Sequence, residues 1–404
     1  MLHLKNLQLR ETSLHPLAGA TVLQVAPGLD QGPEGLAIIG VSAALAFAGA
    51  RALVACEGGR LCGDLQARGG IYLPFPGRRK NPLLMSFNIR RLARLIAAEC
   101  VDVVHVRSRA LAWVAYGAAR LTKVPLVTSF YPIGEDSNPI ALRYHSALAR
   151  GDVVLADSEY SARLAERLFA PAGKIRTVLQ GIDLKRFAPA AVSAGRVQQV
   201  RERWRAAPQE QIVLHPAATR PGSGFRVLLE AAGFLARSGL KGTKFVFACQ
   251  DHEEGALIRG IARAIATEGL QDIACCAQSC DLPAELLAAS AAVIPATDPA
   301  SLGTAAMQAQ AMGTPVIAAN LGVAPEIVLA PPRIAEPMRT GFLVQPGGAA
   351  ALALAIARVL SLGASAKGDL SSRAMEHAAA HFGSDRLCAA TIEAYAGILR
   401  SRNF

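Results

Sequence analysis

The chain has 404 residues, of which 52% are hydrophobic and 18% charged, and a net charge of +11. That length exceeds one ordinary core and suits two domains of roughly 190 residues each, while the composition excludes a disordered chain. Aromatic residues make up only 5%, so the apolar mass is Ala, Leu, Val and Ile, which suits packed helices and parallel strands.

Short apolar runs alternate with amphipathic stretches from residue 20 onward, the pattern of repeated β-α units around parallel sheets. Strands are predicted over residues 21–26, 52–55, 71–73, 101–106, 126–130, 153–156 and 175–179 in the first half. Helices are predicted between them, notably over 35–48, 83–99 and 158–169. The first helix follows a glycine-bearing turn, PGLDQGPEG (27–35). Residues 1–20 hold Lys5, Arg10 and Glu11 without a continuous apolar run, so no secretory leader is expected. The uncharged stretch 35–50 carries Gly35, Gly40, Ser42 and Gly49 and reads as a buried helix rather than a membrane span.

Around GIDLKRFAP (181–189) the alternation stops, as in a linker. A polar helix over about 195–205 leads to a second series of strands at 211–215, 245–249, 273–276, 291–294, 315–319 and 341–344. The expected domains are therefore 1–187 and 188–383, with a C-terminal helix over 384–404. Both are wound open sheets, whose ligand sites lie beyond the carboxyl ends of the strands. Two such domains facing a central cleft would bind a nucleotide on one side and an acceptor on the other.

Residues 1–187 carry 23 Lys/Arg against 14 Asp/Glu, so the excess of positive charge sits in the first half. Arg78, Arg79 and Lys80 are followed by Arg90, Arg91 and Arg94 on a predicted helix. Such a field suits an anionic membrane face or a phosphorylated acceptor. No aromatic interleaving accompanies it, so nucleic acid is not expected as a partner. The eight cysteines show no paired framework, and Cys275, Cys276 and Cys280 lack a histidine at zinc-ligand spacing. Most of the eight read as small buried groups in a reducing cytosol, and no metal is expected.

Gly32 and Gly35 clear side chains from a helix N-terminus, where free N–H groups suit a phosphate. Further segments follow in order: DVVHVRSR (102–109), ADSE (156–159), GIDLKRF (181–187), AQAMGTPVIA (309–318), Glu326 and TGFLVQPG (340–347). Together with residues 21–59 they resemble family-4 glycosyltransferases over roughly residues 20–400. The resemblance implies a GT-B fold of two Rossmann-like domains and a nucleotide-sugar donor bound mainly by the second. It also implies an acceptor on the first domain, retention of anomeric configuration, no cofactor beyond the donor and no required metal. The C-terminal helix would cross back to the first domain.

Three departures from the family pattern stand out. Active members carry an Arg and, about five residues later, a Lys, which neutralise the donor diphosphate as charge develops on it. Here Ala218 and Ser223 hold those places, with Arg220 or Arg226 as substitutes. The family's paired glutamates, with seven residues between them, become Ala300 and Gln308. Gln308 keeps a carbonyl acceptor for the ribose, and the helix start at Gly303 and Thr304 still suits a phosphate. Tyr131 replaces a histidine after the strand ending near residue 130, leaving His105, Tyr131, Glu135 and Asp136 as candidates near the reacting sugar. Glu326 completes the expected donor set.

Two functions follow from the resemblance. One is transfer of a hexosyl group to a cell-envelope glycan or lipid-linked acceptor, as in lipopolysaccharide or polysaccharide synthesis, with activity weak or lost. The other is a non-catalytic relative that binds a glycan, a nucleotide or a partner enzyme. A nucleotide-sugar epimerase on the same fold would need its own cleft carboxylates, and none is placed by the sequence. The expected location is the cytoplasm, peripheral at the inner membrane face.

Overall fold

The computed structural model describes residues 15–401 except 31, 77–81, 134–137, 172, 217, 219–221, 250–254 and 300–302. The first sheet is built from β1 (Thr21–Val25), α1 (Pro33–Phe47), β2 (Arg51–Cys56), α2 (Cys62–Ala67), β3 (Gly70–Pro74), α3 (Pro82–Ala98) and β4 (Val103–Val106). It continues through α4 (Ala112–Thr122), β5 (Leu126–Phe130), α5 (Pro139–His145), β6 (Val153–Ala156), α6 (Glu159–Phe169) and β7 (Lys174–Thr177). The strand order is β3-β2-β1-β4-β5-β6-β7.

After α7 (Ala194–Arg203), the second sheet comprises β8 (Gln211–His215), α8 (Phe225–Arg237), β9 (Thr243–Cys249), α9 (Gly255–Thr267), β10 (Ala274–Gln278), α10 (Leu282–Ala288) and β11 (Ala291–Ile294). Then come α11 (Thr304–Ala311), β12 (Val316–Ala319), α12 (Ala324–Ile327), β13 (Phe342–Val344), α13 (Ala349–Leu360), α14 (Ala364–His381) and α15 (Ser384–Arg400). Its order is β10-β9-β8-β11-β12-β13. The registers β1–β2, β1–β4, β8–β9 and β11–β12 are parallel.

Burial explains the strands. β1, β5, β11 and β12 are buried along their whole length, as expected for parallel strands covered on both faces. On β8 and β9, alternation sorts the side chains into two layers: Ile212, Leu214, Val246 and Ala248 face one cluster, Val213, Phe245, Phe247 and Cys249 the other. The buried amide of Gln24 on β1 is satisfied by α1, donating to Ser42 Oγ at 2.9 Å and to the Ile38 carbonyl at 3.2 Å. Several expected ends move by one or two residues, among them β9, which begins at Thr243, and β7, which ends at Thr177. β4 begins at Val103 rather than 101, because Cys100 turns through a left-handed φ of 51° and the Asp102 carboxylate accepts from the Thr21 N–H. β10 runs on to Gln278, paired against Cys249.

The chain divides into two compact units, residues 1–129, 150–153 and 388–404 in one and 130–149 and 154–387 in the other. Hydrogen bonds explain why residues before 188 group with the second unit. Glu326 accepts from the N–H groups of Glu159 and Tyr160, and Ile182 bridges to Gly383. In the first unit, α15 brings Tyr395 to His105 and Cys388 to Gly40. All eight cysteines are free thiols. Among the described residues no single helix is long and apolar enough to cross a membrane.

Candidate functional site

In the second sheet the chain leaves β8 toward β9 and β10, then returns to add β11, β12 and β13 on the other side. Loops that follow β8 and β11 therefore part in opposite directions, which opens a crevice beyond their carboxyl ends. Three loops fill this edge. Gly222 (φ 68°) and Gly224 (φ 75°) lie against Asp298 and Pro295, where a Cβ would come within 2.2 Å and 1.7 Å of them, so both positions require glycine. Thr297 donates its N–H to the Gly222 carbonyl at 2.8 Å, and Gly322 packs on Pro299. α8 and α11 start here from Gly224 and Gly303, neither with a side-chain cap. Their free N–H groups and positive dipole ends suit an anion.

The charges expected there are missing. Ala218 is 1% exposed, and its N–H is spent on the Ala248 carbonyl at 2.9 Å. Ser223 Oγ turns back and donates to the Ala218 carbonyl at 2.8 Å. Arg220 lies outside the described residues, and Arg226 stacks its guanidinium 5.4 Å over Phe225. Beneath the loop His215 is buried with no partner on either ring nitrogen. Burial holds its pKa down at about 4, with the Ser223 backbone acting the other way.

On α11, Gly303 (φ 65°) is held by packing, since a Cβ would meet Ile327 Cδ1 at 2.2 Å. Thr304 places a buried, unpartnered hydroxyl at the first turn, and Gln308 is half-buried one turn on. Ala300 lies outside the described residues. Glu326 is engaged elsewhere: its two oxygens accept from Glu159 N at 2.8 Å and Tyr160 N at 2.7 Å, capping α6. Beside it, buried Asp157 accepts from Ser158 and Ser161. Burial raises the Asp157 pKa to about 6; the two serines lower it and the Glu326 charge adds to the rise.

The first sheet has its own reversal between β1 and β4, and α1 starts there. Gly35 is demanded by packing, since a Cβ would sit 2.4 Å from the Asp30 carbonyl. Gly32 meets nothing within 4 Å in extended backbone, so its lack of a side chain only keeps the approach open. Glu34 is an exposed residue whose carboxyl is nonetheless crowded: desolvation raises its pKa, and Arg107 and Arg109 oppose the rise. Arg107 is buried with its Nε unpartnered.

His105 is wholly buried. Its Nδ1 pairs with the Tyr395 hydroxyl at 2.6 Å and its Nε2 with Ser129 Oγ at 2.9 Å, which leaves no ring nitrogen for a substrate. Burial and the Arg107 charge hold it neutral. Tyr131 is half-buried just past β5, while Glu135 and Asp136 lie outside the described residues. So do Arg78, Arg79 and Lys80; Arg90, Arg91 and Arg94 are exposed on α3 beside Phe87, which is 61% exposed.

Sequence reasoning passed over three groups at these edges: Arg107, Asp157 and His215. Each stands at a strand's end or one residue past it, in a segment read as a motif or a strand rather than as chemistry. The one available signal is an ionisable residue ending an otherwise apolar run. Among the described residues, no three or more His, Cys, Asp or Glu side chains gather as a metal site.

Comparison with known proteins matches residues 38–186 to the model described as Glycosyltransferase Family 4 and residues 210–362 to Glycosyl transferases group 1. The chain is 30% identical over 325 residues to a D-inositol 3-phosphate glycosyltransferase of Streptomyces scabiei, covering 73% of this chain and 67% of that one. Among solved structures it is similar to a glycosyltransferase of Rickettsia africae, with a TM-score of 0.81, 24% identity and coverage of 94% and 99% of the two chains. It is also similar to Anabaena HepE in complex with UDP and glucose, with a TM-score of 0.76, 19% identity and coverage of 94% and 100%. These likenesses agree with the GT-B fold.

Proposed function

The chain belongs to glycosyltransferase family 4, and from that premise we propose that it binds a nucleotide-sugar donor at the β8–β11 edge of its second unit. It transfers the hexosyl group, with retention, to a cell-envelope glycan or lipid-linked acceptor, far more slowly than relatives that keep both diphosphate cations. The supporting observation is the pair of uncapped helix starts at Gly224 and Gly303, with the unpartnered Thr304 hydroxyl in the first turn of α11. Helix N-termini replace part of the missing charge on a diphosphate. They do not replace two cations aimed at a leaving group, and losing one such donor costs about 10²–10³ in rate.

UDP in the HepE complex makes UDP-sugars the first donors to try, and the name of the Streptomyces relative makes inositol phosphate the first acceptor. A second reading, a binder without turnover, is favoured by the burial of Ala218 and the inward turn of Ser223. Assays of transfer and hydrolysis with UDP-, GDP- and ADP-hexoses separate the two, run on wild type and Ser223→Lys. Slow turnover in wild type that rises in the variant supports the enzyme. Nucleotide binding without turnover in either protein leaves the binder, and absence of binding in both sinks the two readings together.

The same proposal places the protein in the cytoplasm at the inner membrane face, through Phe87, Arg90, Arg91 and Arg94 on α3. An exposed aromatic among cations suits an anionic interface. Sedimentation with anionic vesicles at low salt should exceed that with neutral ones and fall in Arg90→Glu/Arg94→Glu. Equal sedimentation with both vesicle types would refute it.

A further inference from the structure

At the amino end of edge strand β13, opposite in direction to the glycine loops, lies a cavity of about 280 Å³. That is near the lower end of the ~300–1,000 Å³ typical of small-molecule pockets. Ala330, Pro331, Leu343, Leu354 and Ala355 form its apolar walls, and Leu354 is 74% exposed at the rim. Arg339 and Arg358 supply the polar wall. Their guanidinium groups lie 4.3 Å and 5.6 Å from the centre of the Phe342 ring, so both stack on one aromatic side chain.

Arg339 is 9% exposed, and its Nε is buried without a partner. One carboxylate is already held between the two arginines: Glu336 Oε1 accepts from Arg358 Nη2 at 2.6 Å, and Glu336 Oε2 accepts from Arg339 Nη2. Arg373 adds a third cation, donating from Nε to the Arg339 carbonyl at 3.1 Å. Two arginines thus share one glutamate, which is half-exposed on a short turn, with a third arginine bonded to the backbone behind them. The spacing admits a carboxylate, the charge is in excess, and a buried donor has no acceptor. A buried donor left unmade is costly, so an occupant that satisfies it gains affinity.

We propose that this cavity is a second ligand site, separate from the donor edge, for a small organic carboxylate with an apolar body. The carboxylate displaces the Glu336 side chain and bridges Arg358 and the Nε–Nη2 edge of Arg339, so that it reaches the donor Glu336 leaves unmade, and the body lies along Leu343 and Leu354. Guanidinium forks stacked on an aromatic ring match planar carboxylates in both charge and shape.

The test uses benzoate as probe, with benzyl alcohol and inorganic phosphate as controls, titrated into the full chain by calorimetry at low salt. Saturable benzoate binding is expected. Arg358→Met, at an exposed position, should weaken it at least about tenfold, the value of one charge-assisted hydrogen bond. Glu336→Gln, which removes the competing carboxylate, should tighten it. Both variants should melt with wild type and bind nucleotide as wild type does. The proposal is overturned by no saturable benzoate binding in wild type and Glu336→Gln, by equal binding of benzyl alcohol or phosphate, or by an unchanged affinity in Arg358→Met.

Discussion

His215 sits at the end of β8 with two ring nitrogens that are buried and unpartnered, and with a pKa of about 4. Its free value is about 6.5, so folding is linked to its protonation. Above pH 6.5 both folded and unfolded chains hold it neutral, and it contributes nothing to the pH dependence. As pH falls through 6.5 the unfolded chain takes up a proton that the folded chain refuses, so stability is lost. At about pH 5 the loss is about 2 kcal/mol, and it approaches roughly 3 kcal/mol near pH 4. His215→Leu keeps a similar volume and removes both the proton linkage and two unsatisfied polar atoms. At neutral pH the variant should therefore be more stable by about 1–3 kcal/mol. The measurement is urea unfolding of both proteins at several values between pH 7.5 and 5. The gap between them should widen by about 2 kcal/mol on going to the lower pH. Parallel curves, or a variant less stable at neutral pH, would refute the reasoning and mean that the ring is paired in the folded protein.

Asp157 should act in the opposite sense: its folded pKa is raised to about 6, so its contribution is present below about pH 3.8 and is lost as pH rises through 6. Asp157→Asn should flatten that part of the stability profile, a difference of roughly 3 kcal/mol across the window by denaturant titration. Gly303→Ala puts a Cβ into Ile327 at a left-handed φ and should cost about 2–4 kcal/mol, read as a lower melting temperature. Ser223→Lys, at a half-buried loop position, should tighten nucleoside diphosphate binding about 10–100-fold by calorimetry through one charge-assisted contact. Tyr395→Phe removes the 2.6 Å partner of a buried imidazole and should destabilise the first unit by about 1–3 kcal/mol, with nucleotide affinity unchanged.

The sequence by itself determined the parallel α/β architecture. Runs such as TVLQV, LVTSF and AAVI are apolar throughout because they are covered on both faces, and that requirement is written locally. It likewise marked Gly32, Gly35 and Gly303 and the absence of cations at 218 and 223, since these depend on the residue at one position, but not Gly222 and Gly224. Only the tertiary structure decided which polar groups meet. His105 is 290 residues from the tyrosine that occupies its Nδ1, and Glu326 lies 167 residues from the helix start it caps. The arginine fork around Glu336 joins a turn, an edge strand and a helix face, with Arg358 22 positions beyond Glu336. Burial preference repeats along a chain and is read from its period. Choosing a hydrogen-bond partner depends on which distant segments the packed layers bring within about 3 Å, and no local pattern records that.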